Sequence, residues 1–167
     1  MSQNGMNFAM PKLIMLSGIP TSGKSTYVKK LKETEEWEQA VVLSTDNYIE
    51  REAQRLETTY NEIFEDTIQE AQRALQQDLI NAIKAGLDII FDQTNLTSKT
   101  RKRKLKIIPK SYTRECAYFV IDLEEALERN KTRDGKFIPE SILKQMYSQF
   151  ETPTINEGFD NVKEIKV

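Results

Sequence analysis

The residues best suited to chemistry in this chain form the sequence G-x-x-x-x-G-K-S at positions 18–25. A short apolar run, 12–17, precedes the motif, and a segment without glycine or proline, 24–32, follows it. The motif thus has the strand and the helix that a phosphate-binding loop requires. Glycines allow the backbone to curl so that unpaired N–H groups at the helix start surround a phosphate. The sequence therefore predicts binding of ATP or GTP, with Lys24 on the β- and γ-phosphates and the Ser25 hydroxyl on Mg²⁺.

Two aspartates follow the next two apolar runs of the sequence, and both can take part in phosphoryl transfer. Asp46 follows residues 40–44, and Asp92 follows residues 87–91. Because ligands of open α/β sheets bind beyond the carboxyl ends of the strands, we expect both carboxylates beside the phosphate-binding loop. Asp46 can accept a proton from an acceptor hydroxyl, and Asp92 can hold the Mg²⁺ shell or orient that hydroxyl. Each aspartate can also simply cap a helix. The predicted Mg²⁺ ligands are Ser25, Asp46 and Asp92.

Basic side chains are concentrated in two segments of the chain. Residues 99–114 contain eight Lys and Arg side chains and no acidic one. This asymmetry favours contact with the phosphate backbone of DNA or RNA, although such a run is often only a solvated face. The second segment, 129–136, lies between two predicted helices. We expect it to fold over the nucleotide as a lid, with an arginine against the charge of the transferring phosphoryl group.

The composition excludes several kinds of site and sets the size of the fold. The chain has 167 residues, a net charge of −2, no histidine and one cysteine. Histidine base catalysis, histidine metal ligation and an internal disulfide are therefore excluded. We expect a flexible tail at 1–10 and one α/β domain at 11–167, without an appended phosphatase or ligase domain. Since the sequence contains neither a signal peptide nor a long apolar span, we expect a cytoplasmic protein without membrane contact.

Apolar runs and helical periods alternate along the chain. This alternation, with the phosphate-binding loop after the first strand, predicts an α/β fold: a doubly wound parallel sheet with a basic helical lid. The order of the strands in the sheet and the oligomeric state stay open. The predicted strands are 12–17, 40–44, 87–91, 116–121 and 162–167, and the predicted helices are 24–32, 49–59, 61–85, 97–108, one from 123 onward and 139–150.

Four motifs occur in an order that resembles the polynucleotide 5′-hydroxyl kinases of phages and bacteria and their relatives in the P-loop kinase group. They are G-x-P-x-S-G-K-S-T at 18–26, S-x-D at 44–46, D-Q-T-N at 92–95 and R-N-x-x-R-x-G-K-x-I-P at 129–139. The resemblance implies an enzyme that uses ATP and Mg²⁺ to phosphorylate a hydroxyl of DNA or RNA. It implies that Asp46 is the general base and that Arg133 is the lid arginine, supported by Arg129.

The resemblance, taken with the motifs, also gives the remaining candidate residues of the site. The catalytic candidates are Asp46, Lys24 and Arg133. The candidate nucleotide-binding residues are Gly18, Ser22, Gly23, Lys24, Ser25, Thr26 and Arg129. The candidate acceptor-binding residues are Asp92, Thr94, Asn95 and Arg101.

Two positions depart from the kinase pattern: the first concerns the local shape of the loop, and the second leaves the acceptor open. Thr21 stands where these kinases usually have glycine, and Ile49 stands where polynucleotide kinases can carry an arginine for the acceptor phosphate, with Arg51 as a candidate replacement. Three alternatives therefore remain beside a 5′-hydroxyl kinase. They are a kinase of a hydroxymethylated base in phage DNA, a kinase of a small metabolite or nucleoside, and a nucleotide-binding protein without transfer activity.

Overall fold

A parallel sheet of five strands forms the centre of the fold in the computed structural model, which describes residues 10–166. The strands are β1 (Lys12–Ser17), β2 (Val41–Leu43), β3 (Ile89–Phe91), β4 (Thr113–Phe119) and β5 (Asn161–Ile165). The helices are α1 (Lys24–Lys32), α2 (Thr45–Arg55), α3 (Tyr60–Ala85), α4 (Ser98–Leu105), α5 (Leu123–Lys131) and α6 (Glu140–Gln149), with a short 3₁₀ helix at Ile155–Glu157.

The strands pair in the order β2-β3-β1-β4-β5, with all pairs parallel. In the centre of the sheet, Met15 of β1 lies opposite Phe91 of β3 on one side and Cys116 of β4 on the other. This order confirms the predicted α/β sheet and supplies the arrangement that the sequence left open. The carboxyl ends of β1, β2 and β3 lie side by side, so the segments that follow them share one edge of the sheet.

Helices cover both faces of the sheet, which explains why its central strand is apolar from Leu13 to Leu16. Alternate side chains of β1 enter two different cores. Leu13 and Met15 pack in a cluster with α3 and α4, whereas Ile14 and Leu16 pack in a cluster with α1 and Trp37. A third cluster, under α5 and α6, contains Ile19, Leu96, Ile121, Ala126 and Leu143.

Several predicted boundaries are wrong, and one of these errors changes the site. Helix α2 begins at Thr45 and not at residue 49, because the Ser44 hydroxyl caps it by accepting a hydrogen bond from the Asn47 N–H (3.2 Å). Asp46 therefore lies in the first turn of α2 and does not cap it. The predicted lid belongs to the end of α5 and to the non-helical segment 132–139.

Two further predictions concern the ends of the chain and membranes. The predicted tail, 1–10, lies outside the described residues except for Met10. Among residues 10–166 there is no helix with the length and apolar character needed to cross a bilayer.

Candidate active site

The loop between β1 and α1 takes its shape from two glycines. A Cβ on Gly18 would lie 2.7 Å from the Ser22 hydroxyl and 3.1 Å from the Phe119 Cβ, so a side chain does not fit there. Gly23 has φ 104°, a conformation that side chains disfavour, and it is followed directly by the first residue of α1. The N–H groups of the first turn of α1 therefore point towards the loop without a preceding helical carbonyl to accept them.

The side chain of Lys24, the first residue of α1, reaches back to the start of this loop. Its Nζ donates to the carbonyl oxygens of Gly18 and Ile19, at 2.8 Å each. Burial lowers the pKa of Lys24 to about 8, while the negative charges of Asp92 and Asp46 oppose this shift. The lysine and the two predicted aspartates therefore interact within one site, as expected from their places after β1, β2 and β3.

Asp46 is held by two residues, of which Tyr60 was missed by the sequence analysis. The Tyr60 hydroxyl donates to Asp46 Oδ1 (2.7 Å), and Lys136 Nζ lies 3.7 Å from Asp46 Oδ2. Burial, followed by the charge of Asp46, raises the pKa of the Tyr60 phenol, so it remains a proton donor to the carboxylate. Half of the Asp46 side chain (53%) is still exposed to the cleft, which leaves it accessible to an acceptor.

Asp92 and the residues after it connect the strand ends. The Asp92 N–H donates to the Leu43 carbonyl (2.9 Å), and the Thr94 carbonyl accepts from the Gly18 N–H (2.9 Å). Burial raises the pKa of Asp92, Lys24 lowers it, and Asp46 raises it. The Asp92 carboxylate is thus mostly withdrawn from solvent and faces both a cation and a second carboxylate, which is a suitable place for a divalent cation to bind.

The two predicted lid arginines have different surroundings. Arg129 donates to the Thr21 carbonyl (3.0 Å) and to Glu125 Oε1 (2.7 Å), so it supports the phosphate-binding loop. Arg133 lines the cleft, and its buried Nη1 has no hydrogen-bond partner among the described residues. Such an unpaired guanidinium nitrogen is suited to a phosphate oxygen.

The lid itself is attached to the start of α3 by the residue next to Tyr60. The Asn61 backbone N–H donates to the Gly135 carbonyl (3.0 Å), and its side-chain amide exchanges two hydrogen bonds with the backbone of Phe137 (2.8 and 2.9 Å). Lys136 also contacts Glu50 Oε1 (2.5 Å). Adjacent residues of α3 therefore hold the lid and Asp46. Nothing in the motif pattern indicated this connection.

These side chains enclose a cleft of about 290 Å³ at the carboxyl edge of the sheet. Most of the predicted residues line it, whereas Gly18 and the buried Ser22 shape the loop from behind, with the Ser22 hydroxyl unpaired. The lining residues are Pro20, Thr21, Gly23, Lys24, Ser25, Thr26, Ser44, Asp46, Asn47, Asp92, Gln93, Thr94, Arg129, Arg133 and Lys136.

The assignment of Asn95 and Arg101 to the acceptor site is wrong, because both side chains are buried and fully used in structural contacts. The Arg101 guanidinium is inaccessible to solvent and forms two hydrogen bonds of 2.7 Å with Glu157. Its remaining nitrogen donates to the Asn95 carbonyl (2.9 Å), and the Asn95 amide donates to the Leu16 carbonyl (2.7 Å). These residues hold the strand ends together and do not face the cleft.

Lys104, which the sequence analysis placed in the basic segment 99–114, contacts protein groups beside the cleft. Its Nζ donates to Gln93 Oε1 (2.8 Å) and Asn95 Oδ1 (2.5 Å) and lies 4.8 Å from the centre of the Phe91 ring. Burial lowers the pKa of Lys104 to about 8. Through Gln93, which lines the cleft, this buried lysine fixes the segment that follows β3.

The site has the donors that ATP and Mg²⁺ require. The N-terminus of α1, Lys24 and the unpaired nitrogen of Arg133 can receive phosphate oxygens. Within the described chain, no three acidic, cysteine or histidine side chains converge on a point where they alone could hold a metal. Mg²⁺ commonly binds through one or two protein oxygens together with phosphates and water, and the Ser25 hydroxyl and the carboxylates of Asp46 and Asp92, all in the lining of the cleft, are oxygens of this kind.

Local contacts explain how the loop accepts Thr21 at the position where these kinases usually have glycine. Its φ is 73°, an uncommon value for a β-branched residue. The Thr21 hydroxyl donates to the Ala126 carbonyl (3.3 Å), and its own carbonyl accepts from Arg129. Contacts with α5 therefore keep the loop in the conformation that glycine would adopt without strain.

Two curated proteins are similar to this chain over most of its length. L-seryl-tRNA(Sec) kinase of Methanococcus maripaludis is 30% identical over 89% of this chain and 56% of its own length. The bifunctional polynucleotide phosphatase/kinase of Schizosaccharomyces pombe is 25% identical over 92% of this chain and 33% of its own length. The chain thus spans between a third and somewhat more than half of these two relatives.

One solved structure is similar to this chain in its fold. The gluconokinase of Sinorhizobium meliloti 1021 superposes with a TM-score of 0.59 over 95% of this chain and 83% of its own, at 17% identity. The family model described as AAA domain matches residues 13–153, which include every element of the cleft. The chain therefore belongs to this AAA domain family, within the P-loop kinase group that also contains polynucleotide kinases.

Proposed function

We propose that this protein transfers the γ-phosphoryl group of ATP to a hydroxyl of a nucleic acid, most simply the 5′-hydroxyl end of DNA or RNA. The observation that carries the proposal is the cleft in which a half-exposed Asp46 carboxylate faces the same space as Lys24 and Arg133. A phosphate-binding loop alone serves many functions. A carboxylate that is fixed beside it and accessible to an acceptor serves phosphoryl transfer.

Each residue has a separate task in this mechanism. The N–H groups of α1 and Lys24 hold the β- and γ-phosphates, and Ser25 and Asp92 would hold Mg²⁺, which would supply positive charge against those phosphates. Asp46 accepts the proton of the acceptor hydroxyl as its oxygen bonds to the γ-phosphorus and the bond to the β–γ bridging oxygen breaks. Arg133 stabilises the negative charge on the transferring group, and ADP retains the bridging oxygen.

The contacts of Asp46 support a catalytic role over a purely structural one. Tyr60 and Lys136 both hold a carboxylate that does not cap its helix, since Ser44 does so. A nucleotide-binding protein without transfer activity has no need for this arrangement. The alternative of a non-catalytic protein is therefore the weaker one.

The relatives support a nucleic acid as the acceptor. Both curated relatives named above act on nucleic acids according to their names, one on seryl-tRNA and one on polynucleotides. The gluconokinase shares the fold alone and leaves a small-molecule acceptor as the second possibility. The likeness to the seryl-tRNA kinase adds one further form of acceptor, a hydroxyl carried by an aminoacyl group on tRNA.

The test is transfer of label from γ-labelled ATP to a panel of acceptors. The panel contains 5′-hydroxyl DNA, 5′-hydroxyl RNA, a duplex with hydroxymethylated bases, seryl-tRNA, free nucleosides and gluconate, with a folded Lys24→Ala protein as the inactive control. We expect label on a nucleic acid, with the 5′-hydroxyl ends labelled fastest. Label on gluconate or a nucleoside alone would replace this proposal with a metabolite kinase.

A further inference from the structure

A second cavity among residues 10–166 lies at the edge of the sheet opposite the active site. This amino-edge groove has a volume of about 740 Å³. Among its lining residues, Met10 precedes β1, Thr113 begins β4, and Gly158 and Asp160 precede β5. The phosphate-binding loop follows the other end of β1. Since strands rise about 3.3 Å per residue, the seven-residue β4 separates the two edges by roughly 20 Å.

The amino-edge groove is lined by basic side chains from the segment that the sequence analysis singled out. They are Lys102, Lys106, Lys110 and Arg114. The three lysines are exposed, and none of the ion pairs in the described chain involves them. These lysines of the basic segment therefore lie at the amino edge of the sheet. We had expected them at the carboxyl edge, because the segment follows β3.

The acidic side chains of the groove do not cancel this charge. Glu157 is buried and paired with Arg101, so its charge is already balanced. Asp160, which accepts a hydrogen bond from the Arg114 backbone N–H (2.8 Å), leaves one negative charge against the four basic side chains of the lining. The surface left for a ligand is therefore positive in a protein whose net charge is −2.

The backbone that carries these lysines is held in place from both sides. Arg114 Nη2 donates to the Ile108 carbonyl (2.7 Å), and the Tyr112 hydroxyl donates to the Leu87 carbonyl (2.7 Å). Leu105, Ile108 and Tyr112 are themselves buried and form the floor of the groove. The groove is thus a preformed feature of the fold.

We propose that the amino-edge groove binds the phosphate backbone of a nucleic acid, at a distance from the hydroxyl that is phosphorylated. That this nucleic acid is also the acceptor of the phosphoryl group rests on the proposed function, whereas the positive charge of the groove is independent of it. Three exposed lysines that line one groove together with Arg114 suit a polymer of regularly spaced negative charges. At about 3.4 Å per nucleotide along a strand, an acceptor must be longer than about six nucleotides to occupy both sites.

The test compares short and long acceptors in two charge-reversal variants. The first is Lys106→Glu with Lys110→Glu in the groove, and the matched control is Lys29→Glu with Lys30→Glu, two exposed lysines of α1 outside both cavities. KM and kcat are measured for 5′-hydroxyl oligonucleotides of 3 and 20 nucleotides at several salt concentrations.

We expect the groove variant to raise KM for the 20-mer by about 10- to 100-fold and to reduce its salt slope by about 2. KM for the 3-mer and kcat for both acceptors should stay within about twofold, because the groove does not touch the reacting atoms. The control variant should behave like the wild type. An equal effect of both variants on the 20-mer, or an unchanged KM in the groove variant, would overturn the proposal.

A binding measurement separates this proposal from the proposed function. Anisotropy of a labelled 20-mer with a 5′-phosphate, which offers no hydroxyl at that end, reports the groove without turnover. If the protein labels only metabolites but the groove variant binds the 20-mer more weakly, the groove binds nucleic acid and the proposed nucleic-acid acceptor is wrong. Equal binding by the wild type and the groove variant would refute the groove, whatever the acceptor panel shows.

Discussion

At the carboxyl edge of the sheet, opposite charges face one another across a narrow cleft, whereas at the amino edge, mostly positive charges line an open groove. In the cleft, Lys24 and Asp92 are largely buried and shift each other's pKa. In the groove, Lys106 and Lys110 are exposed and have no acidic partner among the described residues. Enclosed opposite charges suit the movement of a proton and a phosphoryl group, and exposed like charges suit the retention of a polyanion.

Two arginines show the same contrast at the level of single side chains. Arg101 is completely buried, and all its nitrogens face oxygens of Glu157, Asn95 and Ser17. Arg133 lines the cleft and keeps one buried nitrogen unpaired. The fold supplies hydrogen-bond partners for every nitrogen of Arg101 but not for every nitrogen of Arg133. We therefore expect Arg101 to matter for stability and Arg133 for turnover.

Removal of Arg101 should have the largest effect on stability. Arg101→Ala leaves the Glu157 carboxylate buried without its partner, and breaking such a pair costs about 3–5 kcal/mol of unfolding free energy. Urea unfolding measures this loss. Arg103→Ala, an exposed position on the same helix, is the control and should change stability by less than about 0.5 kcal/mol. Equal stability of the two variants would contradict the structural role of Arg101.

Removal of Arg133 should lower turnover without destabilising the protein. We expect Arg133→Ala to reduce kcat by about 10- to 1,000-fold, which is less than a single arginine contributes in some phosphoryl-transfer enzymes, because Lys136 and Arg129 also line the cleft. Steady-state kinetics and urea unfolding of the same preparation test both halves of the prediction. If KM for ATP rises and kcat does not fall, Arg133 binds the ground state of the nucleotide.

The buried lysine beside the cleft should give stability a dependence on alkaline pH. The pKa of Lys104 is about 8 in the folded protein and about 10.4 when unfolded. Between these values the unfolded chain holds a proton that the folded protein has released, so stability rises with pH. Relative to Lys104→Met, the wild type should gain roughly 1–3 kcal/mol between about pH 8 and 10.

Thermal unfolding across this range measures that gain. A Lys106→Met variant, in which an exposed lysine is replaced, should show the same pH dependence as the wild type. If Lys104→Met and the wild type keep a constant difference over the range, the burial of Lys104 does not penalise its charge.

The smallest effect should come from the strained residue of the phosphate-binding loop. Thr21→Gly removes a β-branched side chain from φ 73°, and relief of this strain exceeds the added entropy of the unfolded glycine. We expect stability to rise by about 0.5–1 kcal/mol. A fall of that size in a thermal scan would show instead that the hydrogen bond from Thr21 to Ala126 outweighs the strain.

The sequence predicted those parts of the site that depend on local pattern. The motif at 18–25 and the aspartates after two apolar runs were sufficient to bring Lys24, Asp46 and Asp92 together, since strands of a parallel sheet end at one edge. The same rule predicted the α/β fold, because each strand and helix has its own apolar period. These features need no knowledge of distant contacts.

The parts that the sequence did not predict depend on partners far along the chain. Arg101 was taken as exposed because it lies in a charged run, and its partner Glu157 lies 56 residues away. Tyr60 reaches Asp46 only because α3 returns past α2. The basic segment was placed at the active site because it follows β3, whereas the path of α4 carries its later lysines to the opposite edge. A local pattern gives the charge of a segment but not the direction in which it faces.

The central claim is that Asp46 accepts the proton of the acceptor hydroxyl, and the single-turnover rate of Asp46→Asn tests it most directly. Asparagine keeps the shape of the side chain and can accept from Tyr60, but it is not a base. With saturating ATP and the best acceptor of the panel, we predict a rate lower than that of the wild type by about 10²- to 10⁴-fold, with ATP affinity unchanged. A variant that transfers the phosphoryl group at the wild-type rate would contradict the claim.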